Sequence, residues 1–352
     1  MRTPFFENHV KLGAKIVDFH GWDMPLQYSG ILDEQKAVRN NAGLFDISHM
    51  GRFRITGETS EDCIQNLITN DISKIIENQA VYSPMCNEKG GIIDDVIVSK
   101  ISQDEFLIVV NSSNIKKDFE WIQRHLDGNK LKDETQKVAL LALQGPKAQA
   151  IIEKHTSEIT KLKPFHFMKT KLHGQDCMIS RTGYTGEDGF EIFFDSSNSI
   201  LWEKLLSDGQ TFGIKPAGLG ARDILRLEAG MMLYGNDIDE NVTPLEASLK
   251  WTVKFEKNFI GKNALEKNKP QKRLVGFEVV GSKRVARQND QIIYEGKNVG
   301  RVTSGTFSPT LGKSIGFGYV PTDMQFGQYI QILIGGKNYD AKLRSTRFYK
   351  KQ

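Results

Sequence analysis

Apolar and polar positions alternate between helical and strand spacing up to Phe255 and change to short strand-like runs after Lys272. Residues 31 to 41 (ILDEQKAVRNN) place Ile31, Leu32, Ala37 and Val38 at helical spacing. Ala42, Gly43 and Leu44 end the pattern, which predicts a helix followed by a turn. Residues 51 to 57 (GRFRITG) set Phe53 and Ile55 against Arg52, Arg54 and Thr56, the alternation of a half-buried strand bounded by glycines. A helix is predicted near Ser60 to Ile68. It is opened by Thr59, Ser60, Glu61 and Asp62, which suit capping and the first-turn dipole. Strands follow at Ala80 to Met85, Ile92 to Ser99 and Glu105 to Val110, then an amphipathic helix at Ile115 to Leu126. Together these make a compact α+β unit.

A charged and polar loop, Asp127 to Lys137, leads into an apolar segment at Val138 to Leu143 and a helix at Pro146 to His155, whose proline suits a first helical position. A boundary near residue 135 follows. Cys177 to Arg181 and Phe190 to Phe194 read as strands flanking a glycine-rich turn, and Ser199 to Asp208 as a helix. Lys215 to Gly220 reads as a loop, Asp223 to Met232 as a helix and Leu249 to Phe255 as a strand. The Lys- and Asn-rich stretch Lys257 to Gln271 is predicted to be a linker. Beyond it, β-branched and aromatic runs separated by glycines occur at Leu274 to Val280, Gln291 to Tyr294, Asn298 to Ser304, Ile315 to Val320 and Tyr329 to Ile334. That pattern predicts a small β-barrel.

The 352 residues suffice for two or three domains with a sizeable core, and 39% hydrophobic with 26% charged residues is an ordinary globular composition that excludes disorder. The three cysteines, Cys63, Cys86 and Cys177, are odd in number and widely spaced, with no C-x-x-C and no nearby histidine pair. Buried free thiols in a reducing cytoplasm are the expectation. No apolar stretch approaches the roughly 20 residues that span a bilayer. The opening MRTPFFENH lacks the uninterrupted apolar core of a signal peptide, so the protein is expected to stay where it is made.

Charge is divided unevenly. The chain carries 47 basic and 43 acidic residues, yet residues 250 to 352 hold 20 Lys and Arg against 7 Asp and Glu. That part is +13 and the remainder −9, which points to an anionic partner for the C-terminal part or to a solvated basic surface. Nothing interleaves dense Lys and Arg with aromatics or shows finger spacing, so nucleic acid is not the expected partner.

Gly218 to Asp223 (GLGARD) invites a dinucleotide reading, but it follows no strand and no βαβ unit surrounds it. P-loop, serine-hydrolase and zinc-protease motifs are missing as well. Three other segments carry candidate chemistry. In Asn87 to Ser99 (NEKGGIIDDVIVS), strand alternation puts Asp95 with Ile93 and Ile97, and Asp94 with Ile92, Val96 and Val98. A carboxylate among aliphatics is desolvated and suited to acid–base work; the alternative is that both accept hydrogen bonds from turn amides beside Gly90 and Gly91. In Ser180 to Phe194 (SRTGYTGEDGFEIFF), glycines permit close approach of a flat ligand and Glu191 could accept two parallel N–H donors, as in reading a pterin or guanine edge; the alternative is an acidic hairpin tip. In GARDILRLEAG, Arg222 and Arg226 lie four apart near Glu228, where structural salt bridging is the commoner explanation.

Eight segments in order resemble the aminomethyltransferases, or T-proteins, of the glycine cleavage system: FHGWDMPLQY (19 to 28), AGLFDISHMG (42 to 51), LITND (67 to 71), GGIIDD (90 to 95), LQGPKAQ (143 to 149), SRTGYTGEDGFE (180 to 191), PAGLGARD (216 to 223) and TSGTFSPTLGKSIGFGYV (303 to 320). The resemblance implies transfer of a one-carbon unit from an aminomethyl group on the lipoyl arm of H-protein to tetrahydrofolate, polyglutamylated forms included. Ammonia, 5,10-methylenetetrahydrofolate and the reduced arm are the products. The carbon is an N,S-acetal at the formaldehyde level, so neither a metal nor a nucleotide cofactor is implied. The resemblance makes Asp95 the catalytic group and Tyr82, Asn111, Tyr184, Glu191, Arg222 and the C-terminal Tyr349 the folate contacts. It further implies an α+β fold shaped as a three-lobed cloverleaf with folate in the central opening. Residues 1 to 50 and 136 to 260 would form a discontinuous first α+β lobe, 51 to 135 a second carrying Asp95, and 272 to 352 a C-terminal β-barrel. A cytoplasmic enzyme of glycine catabolism, without nucleic-acid or membrane partners, is expected.

Two paralogues compete within the superfamily. A folate-binding protein of iron–sulfur assembly carries K-G-C-Y-x-G-Q where this chain reads KNFIGKNAL without cysteine, and dimethylglycine or sarcosine dehydrogenases carry a flavin domain for which 352 residues leave no room. A non-enzymatic nucleic-acid-binding protein is the alternative from another class.

Overall fold

The computed structural model describes residues 1 to 351. Contacts divide the chain into two compact units, one of Met1–Leu67, Asp71–Ser83 and Asp95–Arg222, the other of Ile68–Asn70, Pro84–Asp94 and the chain from Asp223 on.

The first unit opens with helix α1 (Phe6–Lys11) and a hairpin of β1 (Lys15–Phe19) and β2 (Trp22–Gln27). Its two-residue turn, His20 and Gly21, has positive φ at both positions, the twist that suits a tight hairpin. Helix α2 (Ile31–Asn40) carries Asp33 and Glu34 in its first turn and buries Ala37 and Val38. Strand β3 (Ala42–Asp46) follows at once. All five of its residues are buried, so it lacks the alternation that marks a half-exposed strand, and its first three positions read as a turn in the sequence.

Strands β4 (Gly51–Thr56), β5 (Gln79–Cys86), β6 (Ile92–Ser102), β7 (Glu105–Val110) and β8 (Lys130–Asp133) form a sheet in the order β5-β6-β7-β4-β8. Helices α3 (Ser60–Leu67) and α4 (Ile115–Arg124) belong to the same stretch of chain. Strands β9 (Val138–Gln144), β10 (Phe167–Leu172), β11 (Gln175–Ser180), β12 (Gly189–Asp195) and β13 (Ile214–Pro216) join β3 in a second sheet, ordered β10-β11-β12-β9-β3-β13. Helices α5 (Ala148–Glu153) and α6 (Ile200–Gly209) contribute Ile151, Ile152, Trp202 and Leu205 to a core shared with Leu44, Leu141, Phe190 and Ile192. The segment expected to be a loop at Lys215 to Gly220 thus begins as β13, paired in parallel with β3.

Helix α7 (Leu219–Ala229) runs across the division, and the second unit contains α8 (Lys262–Lys267) and the strands β14 (Lys272–Val279), β15 (Gln291–Tyr294), β16 (Lys297–Ser308), β17 (Lys313–Pro321), β18 (Tyr329–Ile334) and β19 (Lys337–Arg344). The six strands close into a barrel in the order β14-β17-β16-β15-β18-β19, filled by Val275, Phe277, Val302, Ile332 and Leu343. Closure removes the exposed edges that an open six-stranded sheet would leave. Two expectations need correction here. The presumed linker holds α8, whose Leu265 is buried with Val253 and Phe259, and the presumed strand at Leu249 to Phe255 is a 3₁₀ turn at Lys250–Thr252.

Arg226, one of the two arginines on α7, is buried in the second unit. Its Nη1 lies 2.6 Å from Asp237 Oδ2, its Nη2 donates to Ser304 Oγ at 2.9 Å and its Nε to Asp223 Oδ1 at 2.9 Å. Asp237 also accepts from Thr303, Ser304 and the Leu233 N–H. Salt bridging is therefore the role of Arg226, with Asp237 as a buried partner; Glu228 accepts from Ser308 Oγ at 2.6 Å.

The three cysteines are buried and free, and burial pushes the Cys177 thiol up to about 11 and the Cys86 thiol further. Among the described residues no helix is long and apolar enough to cross a membrane.

Candidate functional site

The Gly90–Gly91 turn that feeds β6 is held by Asn87, whose Oδ1 accepts from the N–H groups of Lys89 and Gly91 at 3.0 Å each. The turn amides thus have an amide side chain as an acceptor. The two aspartates then part. Asp94 is fully buried, as are Ile92, Val96 and Val98 on its side of the strand, while Asp95 is half-buried along with Ile97.

Asp95 Oδ1 accepts from Asn111 Nδ2 at 2.9 Å, and the Tyr82 hydroxyl donates to Asp95 Oδ2 at 3.1 Å. The partners follow from register. β6 and β7 pair Ile97 with Val109, so two residues further on Asn111 stands opposite Asp95, and its Nδ2 also reaches the Asp95 carbonyl at 3.2 Å. Tyr82 comes from β5, the neighbour of β6 on its other side. A carboxylate gripped at both oxygens by neutral donors has a fixed orientation and presents its negative charge in one direction.

A second group gathers at β12 and the start of α7. Glu191 pairs across the sheet with Ser180 and Ala142, and its Oε2 accepts from the Thr182 hydroxyl at 2.5 Å. Burial pushes its carboxyl above the usual range, with the Thr182 hydrogen bond and the nearby Arg222 charge pulling the other way. The Arg222 guanidinium sits 4.6 Å from the centre of the Tyr184 ring. Burial lowers its proton affinity, and Tyr184 and Glu191 work against that. Glu191, Arg222 and Tyr184 therefore form one electrostatic neighbourhood. It can offer a desolvated acceptor, a cation and an aromatic face.

The glycines of this turn have a local reason. Gln144 is fully buried, donates from Nε2 to the Thr182 carbonyl at 3.1 Å and accepts from the Thr185 hydroxyl at 2.9 Å. A Cβ on Gly183 would lie 2.0 Å from Gln144 Oε1, and one on Gly189 2.5 Å from Gln144 Nε2. These two glycines admit a glutamine side chain, where the sequence suggested room for a ligand. Arg39, bonded to Glu187 and the Thr185 carbonyl, and Arg181, bonded to Asp188, fix the rest of the turn.

Tyr349 belongs to the other unit, where its N–H donates to the Glu228 carbonyl at 2.7 Å. One residue near Arg222 was not singled out from sequence. His49, in the SHMG stretch, is 2% exposed, its Nδ1 has no hydrogen-bond partner among the described residues, and burial lowers its pKa to about 3, so it is a neutral imidazole. The charges of Arg222, Arg52 and His20 act in the same direction and Asp46 in the opposite one. Its ring meets Phe19 edge-on at 5.6 Å. Only its place in a polar segment after a fully buried strand could have flagged it. A cavity of about 300 Å³ lined by Arg54, Leu107, Lys137, Lys169, Phe193 and Asp195, among others, includes none of the candidate residues.

Comparisons with known proteins agree along the whole chain. The GCVT N-terminal domain family matches residues 5–257 and the glycine cleavage T-protein C-terminal barrel domain matches residues 272–350. The chain is 48% identical over 360 residues to an aminomethyltransferase of Caldanaerobacter subterraneus subsp. tengcongensis, covering 99% of this chain and 96% of that one. It is 46% identical over 359 residues to one of Thermotoga maritima, covering 99% and 98%. The crystal structure of the glycine cleavage system aminomethyltransferase T from Bartonella henselae superposes with a TM-score of 0.93 at 34% identity, covering 100% of this chain and 99% of that one. With two α+β sheets, a closed barrel and similarity of this extent, the chain belongs to the aminomethyltransferase family, the T-proteins of the glycine cleavage system.

Proposed function

We propose that this aminomethyltransferase takes the methylene carbon from the aminomethyl-dihydrolipoyl arm of H-protein and delivers it to tetrahydrofolate, with Asp95 as the catalytic group. The observation that carries the reading is the grip of Tyr82 and Asn111 on Asp95. In the net reaction folate loses its N5 and N10 protons while the departing nitrogen becomes ammonia and the sulfur a thiol. One carboxylate held in a fixed orientation can shuttle such a proton, and its negative charge favours an iminium-like carbon.

Glu191, Arg222 and Tyr184 are proposed to hold the folate, with Glu191 accepting from the donor edge of the pterin. A carboxylate that burial makes costly to ionise gains most from a ligand that brings two N–H donors. Tyr349 is proposed as a further folate contact, and residues 1 to 50 with 136 to 260, 51 to 135 and 272 to 352 as the three lobes. The proposed place of work is the cytoplasm.

Thermal unfolding tests the folate reading. Tetrahydrofolate should raise the midpoint and ATP should not, because a ligand of the native state stabilises by mass action. Glu191→Gln should weaken folate by about 1 to 3 kcal/mol. The ligand-free variant should be no less stable than the wild type above the usual carboxylate range: a carboxyl whose folded pKa is raised makes the native state bind more protons than the unfolded one, so the wild type loses stability as pH rises through that range. Unchanged folate affinity in the variant would move Glu191 out of the site, and equal shifts with ATP would sink the reading.

The basic C-terminal part predicts electrostatic steering of an acidic carrier protein. The Michaelis constant for H-protein should climb with ionic strength, and that for monoglutamyl tetrahydrofolate should change little. Lys283 and Arg284 are both exposed on the loop after β14. Reversing both, Lys283→Glu with Arg284→Glu, should raise the H-protein constant at low salt and flatten its salt response; a flat response in the wild type returns these lysines to the solvated-surface reading.

A further inference from the structure

Away from the candidate site, three side chains from three elements of the first unit converge on one point. His155 lies just after α5, His173 sits at the tip of the β10–β11 hairpin, and Asp208 is in the last turn of α6. His155 Nε2 is 2.7 Å and His173 Nε2 2.6 Å from the same carboxylate oxygen, Asp208 Oδ2. The imidazole rings are tilted with centroids 4.3 Å apart, and the three ligand atoms lie within 4.8 Å of one another. We infer that His155, His173 and Asp208 form a binding site for a first-row divalent transition metal of the Zn²⁺ type, separate from the folate and lipoyl chemistry.

The donor set carries the chemical class. Two imidazole nitrogens and one carboxylate oxygen suit Zn²⁺, Co²⁺, Ni²⁺ or Cu²⁺, and are the wrong set for Mg²⁺ or Ca²⁺, which take oxygen. Metal–ligand bonds of about 2.0 to 2.2 Å in a tetrahedron put ligand atoms about 3.3 to 3.6 Å apart, so the two histidine–carboxylate contacts have to open by roughly 0.6 to 1 Å. The side chains are 16, 23 and 17% exposed, which leaves a path for the ion and room for water in the remaining position. Asp208 Oδ1 makes no hydrogen bond among the described residues and can take part. The framework is also constrained. His173 and Gly174 both have positive φ at the hairpin tip, and Lys154 Nζ is tied to the Asp208 backbone carbonyl at 2.5 Å, clear of the carboxylate's own bonds. A site that draws on a helix end, a hairpin tip and a second helix would staple three elements of the six-stranded sheet layer together.

The test uses the whole protein and the metal alone. Isothermal titration with Zn²⁺ should show one saturable equivalent that Mg²⁺ does not compete for, and Zn²⁺ should raise the unfolding midpoint. Co²⁺ should develop the intense visible absorption of a four-coordinate ion. The double variant His155→Ala with His173→Ala should weaken Zn²⁺ by more than about tenfold. Asp208→Asn, which preserves shape, should weaken it with native circular dichroism and keeps the test open if the double variant misfolds. No saturable Zn²⁺ binding to the wild type, a purely octahedral Co²⁺ spectrum, or equal affinity in a folded variant would overturn the site and leave a hydrogen-bonded cluster. None of these outcomes bears on folate binding.

Discussion

Asp95→Asn should bind tetrahydrofolate nearly as tightly as the wild type and lose about 10² to 10⁴ of its turnover. The amide is the same shape, so Tyr82 and Asn111 still find a partner of the right size, and the turn at Gly90 and Gly91 is untouched because Asn87 holds it. What goes is the negative charge and the capacity to accept a proton, which are needed as nitrogen and sulfur leave. Asn111 Nδ2, now facing an amide, keeps a partner only if the new side chain turns its oxygen toward it, which then aims its NH₂ at the Tyr82 oxygen. Asp94→Asn is the control. Asp94 is fully buried with the aliphatic face of β6, so its substitution should cost stability before it costs turnover. Steady-state kinetics with H-protein, alongside folate titration of both variants, decides the matter. A folded Asp94→Asn enzyme that is slower than Asp95→Asn would move the catalytic role by one residue.

Period-2 alternation in NEKGGIIDDVIVS was enough to separate Asp94 from Asp95, because side chains on a strand must take opposite faces. It could not say which face was open. That depends on what covers each side of the sheet: Ile92, Asp94, Val96 and Val98 are fully buried, and on the other face Ile93 is buried too while Asp95 and Ile97 are half-buried. Strand runs in the barrel were legible for the same reason, except β19. KNYDAKLR buries only Ala341 and Leu343 and otherwise presents charge and polarity, so it reads as surface. Strands β3 and β13 were hidden by the opposite condition and by brevity: β3 is buried throughout, and β13 has three residues with a proline at its end. Long-range pairings leave the weakest trace in a single sequence. Nothing near Gly183 announces that Gln144, distant along the chain, fills the space its missing side chain leaves, and nothing near Asp95 announces Asn111 until the β6–β7 register is known. Glu191 was singled out by residue type and Arg222 as a folate contact only by the family resemblance, while their mutual neighbourhood and the buried neutral His49 beside Arg222 belong to the tertiary structure.

Asp237→Ala should destabilise the second unit by about 3 to 5 kcal/mol, since it strands the Arg226 guanidinium, 2% exposed, without its buried counter-charge. The Asp223 carboxylate, bonded at Arg226 Nε, is half exposed and compensates only in part. Loss of Asp237 also leaves the Thr303 and Ser304 hydroxyls and the Leu233 N–H without their acceptor. At a few degrees per kcal/mol for a domain of this size, the unfolding midpoint should fall on the order of 10 °C. The expected signature of stranded charge, rather than lost packing, comes from removing both partners. Arg226→Met with Asp237→Leu fills similar volume with apolar groups, and replacing a buried ion pair in this way is often close to neutral. Here it should recover only part of the loss, because the two hydroxyls and the amide were built around a carboxylate and remain in place. A shift of under a degree or two for Asp237→Ala would mean that the pair is dispensable, and a double variant less stable than Asp237→Ala would mean that the loss does not come from a stranded Arg226 charge. Folate affinity should be nearly unchanged in folded Asp237→Ala, since Arg222, one turn earlier on the same helix, keeps its own partners Tyr184 and Glu191.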